Sequence, residues 1–169
     1  MSWLRKYKID TISTNSQCSG SILADETSFY HRFHQDLLVA KQEVIIDSPF
    51  ITISRLRSLK PIFEFLIKRG VEVFIVTRYP KEHDEFMSEQ AEAGIRYFEA
   101  LGGQVLLCEA HHRKSAIIDR KIVWKGSLNI LSQTHSRELM EREENAEKAG
   151  TLFKFLKYDQ VKFFRKSLV

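Results

Sequence analysis

The chain has 169 residues, with 26 Lys and Arg against 22 Asp and Glu and a net charge of +4. That length serves one domain with one sizeable core and excludes two well-buried ones, while the mild basic excess suits a polyanion without demanding one. With two cysteines, Cys18 and Cys108, no four-ligand Cys/His zinc pattern, no signal peptide and no apolar run near the ~18 residues of a membrane span, the expectation is a soluble cytoplasmic protein in a reducing compartment. Taken in chain order, residues 1–26 are polar and Ser/Thr-rich and read as a partly mobile N-terminal arm, with residues 27–169 as a single domain. "ETSFYHRFHQDLLVAKQ" sets Phe29, Phe33, Leu37 and Ala40 at helical spacing, with Thr27 or Ser28 as cap. "EVIIDSPF" is a buried strand ended by Pro49. "SRLRSLKPIFEFLIKRG" is a helix closing at Gly70, expected to start near Lys60 or to kink at Pro61. "VEVFIVTR" is a second buried strand. "DEFMSEQAEAGIRYFEALGG" is a helix with Phe86, Ile95, Phe98 and Leu101 near one stripe, followed by the strand "QVLLCEA". "RKSAIIDR" and "KIVWKGSL" read as strands joined near Asp119, Arg120 and Lys121, "RELMER" as a further strand, and "NAEKAGTLFKFLKYDQVKFFRKS" as a closing amphipathic helix weakened by Gly150. Helices alternating with buried strands predict an α/β fold: a mixed, mostly parallel β-sheet flanked by helices on both faces.

The stretch "HRKSAIIDRKIVWKGSLN", His112 to Asn129, carries more polar chemistry than two buried strands require. His112 and Lys114 are two apart and share a strand face, as do Ser127 and Asn129. If the two strands pair, an imidazole, an ammonium, a hydroxyl and a carboxamide meet at one end of the sheet, with Gly126 allowing close backbone approach. Taken singly, each reads as an ordinary sheet or surface residue. Jointly they supply a nucleophile or proton shuttle beside a cation and neutral donors, which substitution at a phosphate group requires. No carboxylate cluster or His/Cys box accompanies them, so no ligand set for a catalytic metal, and no other cofactor, is expected.

The pattern His112-x-Lys114-(x)4-Asp119-(x)6-Gly126-Ser127-x-Asn129 resembles the HKD motif of the phospholipase D superfamily. The likeness covers roughly residues 27–165 and is closest to the single-motif phosphodiesterase and nuclease branch, which includes nuclease-like domains attached to DNA helicases and restriction enzymes. The resemblance implies that His112 forms a covalent phosphohistidine. It implies that Lys114 and Asn129 bind the phosphoryl oxygens with help from Ser127, and that Asp119 is structural. It also implies a carboxylate holding the far nitrogen of His112, for which Glu138 is the first candidate and Glu141 the second.

Displacement at phosphorus needs a nucleophile on one side and an acid on the other, and the chain offers one such histidine element. His111 is adjacent in sequence but points to the other face of a strand. A homodimer bringing two copies of His112 together solves this, as in single-motif members of the family, with one imidazole attacking and the other protonating the leaving oxygen. The expected substrate is nucleic acid, DNA first, with a larger helicase or restriction-type system as a further partner. Arg113, Arg120, Lys121 and Lys125 read either as a phosphate track or as solvated strand ends. Ser48 and Phe50 fall at a strand's C-terminal end, where α/β folds place ligands; Phe50 either stacks on a base or fills core. Two other readings stay open. One is a phospholipid phosphodiesterase, for which the Phe- and Lys-rich C-terminus offers a surface; the other is a non-catalytic DNA-binding or dimerisation module. The remaining histidines, His31, His34, His83 and His135, read as surface or packing residues.

Overall fold

The β-branched runs of the sequence line up as one seven-stranded sheet. The computed structural model describes residues 20–159; the expectations for residues 1–19, Cys18 among them, and for residues 160–169 lie outside it. In chain order the elements are β1 (Ile22–Asp25), α1 (Phe29–Val39), β2 (Glu43–Asp47), α2 (Ile53–Lys68), β3 (Glu72–Arg78), α3 (Glu85–Ala100), β4 (Gln104–Cys108), β5 (Ser115–Ile118), β6 (Ile122–Gly126), β7 (Leu139–Glu144) and α4 (Ala146–Phe155). The strand order is β1-β7-β6-β5-β2-β3-β4.

The α/β class with a mixed sheet and helices on both faces is as expected, but "mostly parallel" is corrected. Only β2–β3 and β3–β4 pair in parallel, through the crossover helices α2 and α3. The four pairs β1–β7, β7–β6, β6–β5 and β5–β2 are antiparallel. A tight turn between β5 and β6 forces the reversal, because two strands joined by so few residues cannot run the same way. Asp119 and Arg120 in that turn have φ of 50° and 51°, the left-handed region that short hairpins demand and that Asp tolerates better than most residues.

Side chains alternate across the sheet, so each strand feeds two cores. On one face Val44, Ile46, Val73, Ile75, Ala116, Ile118 and Trp124 pack under α1, α2 and α3. On the other, Ile45, Phe74, Val76, Ile117 and Val123 pack against Ala149 and Phe153 of α4 and against Tyr158. Trp124 is fully buried, and the rings of Phe29 and Phe33 meet it edge-on at 5.1 and 6.2 Å. Its indole N–H donates to Asp36 Oδ2 at 2.7 Å, and the Arg142 guanidinium closes on the same carboxylate at 2.9 Å. This ties α1 to β6 and β7 through a nearly dry ion pair.

Several local expectations change. Residues 22–25, placed in the arm, form β1 and pair with β7. α2 begins at Ile53 rather than near Lys60 and runs through Pro61; Thr52 caps it by accepting from the Arg55 amide at 3.4 Å. Phe86, expected on the inner stripe of α3, is 67% exposed. α4 accommodates Gly150 and ends at Phe155.

Candidate active site

The C-terminal ends of β2 and β3, the N-terminus of β5 and the C-terminus of β6 meet at one edge of the sheet. Residues 109–114 enter β5 there through a turn at 109–110, where Ala110 has a φ of 51°, and are held at successive points. The Ala110 amide donates to Glu82 Oε2 at 2.9 Å. Arg78 Nε donates to the His111 carbonyl at 3.1 Å, and the Gly126 amide to the Lys114 carbonyl at 3.2 Å. The His111 ring is buried, with Nε2 3.3 Å from Asp47 Oδ1. Ser115 Oγ donates to the other Asp47 oxygen at 2.6 Å. With His111 anchored inward, His112 is turned outward and exposed. Lys114 Nζ donates to its Nδ1 at 3.1 Å and to its carbonyl at 2.8 Å.

The facing wall comes from the end of β6 and the loop after it. The Ser127 amide donates to the Leu139 carbonyl at 3.0 Å, and Ser127 Oγ accepts from the Leu139 amide at 3.1 Å. The Asn129 carbonyl accepts from the Ser132 and Gln133 amides at 3.1 and 2.8 Å, which leaves its side chain free of backbone duty. Asn129 Oδ1 is buried and makes no hydrogen bond, an arrangement that calls for an incoming donor. Glu138 Oε1 accepts from Ser136 Oγ at 2.6 Å. Hydrogen bonds from Ser127 and Ser136 hold the Glu138 carboxyl below the usual carboxylate range, and Lys114 assists. Burial pushes the Lys114 ammonium pKa down and Arg78 adds to that, while Glu138 opposes. Lys114 thus feels the Glu138 carboxylate and the Arg78 guanidinium with opposite effect, while its hydrogen bonds go to His112. No contact among the described residues joins Glu138 to His112.

Asp119 lies outside the cleft, at the opposite end of β5. Its carboxylate accepts from the amides of Lys41, Gln42 and Glu43 at 2.8, 2.8 and 3.0 Å, pinning the loop from α1 into β2. Other expected contact residues are placed differently. Ser48 is fully buried; its hydroxyl donates to the Phe50 carbonyl at 2.9 Å and accepts from the Leu131 amide at 3.1 Å. It positions the cleft rather than touching a ligand. Arg113 turns to the α4 face, 3.8 Å from Asp47, where it lines a cavity with Tyr158 and Cys108. Lys125 is on the same face, paired with Glu141 at 3.1 Å, which also removes Glu141 as a partner for His112. Gly126 is required by β7, not by a ligand: a Cβ there would lie 2.0 Å from the Leu139 carbonyl oxygen. Arg120 is held by Glu43 at 2.8 Å and stacks on Phe153 at 4.0 Å. Phe50 is half-buried beside the cleft.

Sequence reasoning missed Arg78, His83 and Asp47. Arg78 ends β3 thirty-odd positions before the motif and resembles any strand-end arginine. Its guanidinium lies 5.6 Å from the Phe50 ring centre, and the His83 ring lies 5.0 Å from the same centre. Nothing in one-dimensional spacing links these three residues to His112.

The buried histidines impose a pH dependence on stability. Burial lowers the His111 pKa, against the opposing charge of Asp47. Burial, with His31 and Arg55 nearby, lowers His34 to about 4. The unfolded chain therefore binds protons that the fold excludes, so stability falls as pH drops from the ordinary histidine value of ~6.5 toward 4. Urea midpoints measured between pH 8 and 4 are expected to be flat above that value and to decline steadily below it; a flat curve throughout would contradict the burial of both rings.

No helix among the described residues is long and apolar enough to cross a membrane. No group of three or more His, Cys, Asp or Glu among them is arranged to hold a metal ion. Residues 33–151 match the family described as cardiolipin synthase, PLD-like domain. No curated protein matches the chain. Among solved structures, NucT from Helicobacter pylori aligns with a TM-score of 0.66 at 20% identity, covering 80% of this chain and 92% of that one. Nuc from Salmonella typhimurium, a phospholipase D family member, aligns with a TM-score of 0.63 at 19% identity, covering 80% and 90%. The phosphatidylserine synthase of Haemophilus influenzae aligns with a TM-score of 0.62 at 11% identity, covering 89% of this chain and 40% of that one.

Proposed function

The chain belongs to the phospholipase D superfamily of phosphodiesterases, through the PLD-like domain at residues 33–151, and on that premise we propose that it is a metal-independent nuclease whose active site is shared by two subunits of a homodimer. The observation that supports this reading is that exposed His112 and half-buried Lys114 sit where the Gly126 amide ties their segment to the one leading into Asn129, whose side-chain amide nitrogen is the group able to donate to a phosphoryl oxygen. An incoming phosphate competes for the Lys114 ammonium and draws it off His112 Nδ1. His112 of one copy attacks phosphorus, forming a P–N bond as the P–O bond to the leaving group breaks. The protonated His112 of the second copy gives its proton to the departing oxygen. That same imidazole then takes a proton from water, whose oxygen attacks phosphorus and releases the first histidine. Lys114 and Asn129 supply the fixed charge and dipole around the transition state that a metal ion supplies elsewhere.

A single chain carries one His-x-Lys element, at His112, so the acid on the far side is assigned to the His112 of a second copy. Leu139, which brackets Ser127, is 53% exposed and offers apolar surface at the rim for such a copy. The cations Arg78 and Lys114 at the cleft favour a polyanionic substrate. A phospholipid phosphodiesterase is the second reading, supported by the description of the matching family as a cardiolipin synthase domain. Purified protein is expected to hydrolyse nucleic acid at undiminished rate in excess EDTA, and to show twice the 19.8 kDa chain mass by light scattering. Cleavage confined to phosphatidyl substrates would transfer the assignment to lipid, and an active monomer would remove the shared site.

A further inference from the structure

The loop between β2 and α2 carries an aromatic side chain that neither core uses. Phe50 follows Pro49 and is half-buried. Its backbone is tied to the loop after β6: Ser48 bridges the Phe50 carbonyl and the Leu131 amide, and the Thr52 amide donates to the Leu131 carbonyl at 2.9 Å. Leu131 is two residues beyond Asn129, so one wall of the cleft and the Phe50 loop are a single rigid unit. On its other side Phe50 meets Arg78, whose Nε holds the His111 carbonyl. Phe50 thus stands between the segment that presents His112 and Lys114 and the segment that presents Asn129.

The His83 ring packs on Phe50 at 5.0 Å with a 38° tilt, and both rings keep part of their surface open to solvent. Burial, with Arg78 close by, lowers the His83 pKa, so the imidazole stacks as a neutral aromatic near pH 7. Arg78 adds a planar cation beside the platform. Two half-buried rings with part of their surface open, and a guanidinium that Glu82 holds at 3.7 Å, beside the segment carrying Lys114 are a surface that can stack one base while a neighbouring phosphate is held. A base inside a duplex is already covered on both faces and cannot use such a platform.

Resting on the nuclease reading above, we infer that Phe50, His83 and Arg78 form a subsite for an unpaired nucleobase adjoining the phosphate site at Lys114 and Asn129, which makes single-stranded nucleic acid, or an unpaired end or loop, the preferred substrate.

The test separates binding from turnover by using full-length His112→Ala protein. Fluorescein-labelled dodecathymidylate, a hairpin duplex of equal length, and vesicles of phosphatidylglycerol and phosphatidylcholine are titrated in turn. The single strand is expected to bind best. Adding Phe50→Leu, which keeps apolar bulk in the half-buried position, is expected to weaken single-strand binding about tenfold. Phe50→Trp is expected to restore it, and the duplex should be unaffected by either change. The salt dependence should be the same with and without the Phe50→Leu change, since stacking releases no counterions. Equal single-strand affinities with and without that change, an equal loss on the duplex, or Phe50-dependent binding to vesicles alone would each overturn the subsite. Wild-type protein that cleaves nucleic acid while Phe50→Leu changes nothing sinks the platform and leaves the nuclease. Phe50-dependent binding in a protein that cleaves nothing does the reverse.

Discussion

His112→Ala is expected to abolish phosphodiester hydrolysis, lowering the rate by at least ~10^4-fold, because it removes both the nucleophile and, in the other copy, the acid. The side chain is exposed and its one hydrogen-bonding neighbour is Lys114, so the variant should fold and melt like the parent. Lys114→Ala and Asn129→Ala take away charge and dipole but leave the nucleophile, and are expected to cost about 10²–10³ in kcat. Wild-type protein quenched during turnover in alkaline denaturant should carry on His112 a substrate-linked phosphoryl group that is stable to alkali and lost in acid, and the alanine variant none. Mixing inactive His112→Ala with wild-type chains before refolding tests the shared site directly: activity should fall faster than the wild-type fraction, because a mixed pair lacks one of two required imidazoles. Hydrolysis by the alanine variant at more than about a hundredth of the wild-type rate would remove the phosphohistidine route.

The largest expected loss of stability comes from Asp36. Its carboxylate receives both Arg142 nitrogens and the Trp124 indole N–H, with side-chain exposures of 16% for Arg142 and 10% for Asp36. Hydrogen bonds donated to Asp36 hold the Arg142 guanidinium above its ordinary pKa; without the carboxylate it still stays charged, because a guanidinium is not deprotonated in proteins. Asp36→Ala then leaves a half-buried cation with only exposed Glu144 at 3.3 Å and strands a buried indole donor, at a cost of roughly 3–5 kcal/mol at most. For a chain this long that is a fall in Tm of about 6–20 °C. The double variant with Arg142→Ala should cost less than the sum of the two single changes, since the second removes the charge that the first exposes. A loss below ~1 kcal/mol would place the pair with ordinary surface ion pairs, against its burial.

How much was readable in advance differs by element, for physical reasons. The helices α1 and α3, the buried strands β2 and β3, the edge strand β4 and the β5–β6 pair follow from spacing, because apolar periodicity is local and each core face must be apolar. The relation of His112 to Lys114, and of Ser127 to Asn129, is equally local: two residues apart on extended chain share a side whatever the rest of the fold does. Strand direction was not local. Alternating helix and strand suggested a mixed but mostly parallel sheet, yet four of the six pairings are antiparallel, with the tight turn at 119–121 returning β6 alongside β5. Phe86 satisfied a helical stripe and still faces solvent, since nothing packs over the first turn of α3.

The sequence by itself determined the fold class, the superfamily resemblance and the residues proposed to meet phosphate, because those depend on periodicity and on fixed spacing along eighteen residues. Only the tertiary structure decided which charges stand in the cleft and which are turned away from it. Lys125, Glu141 and Arg113 look as well placed as Lys114 when read along the chain, but strand alternation sends them to the α4 face, into pairs with one another and with Asp47. Arg78 at the end of β3, with Phe50 and His83 from two loops, reaches the cleft only because β3 lies beside β2, and β2 beside β5. Proximity between segments thirty to eighty residues apart is set by sheet order, and no local pattern encodes it.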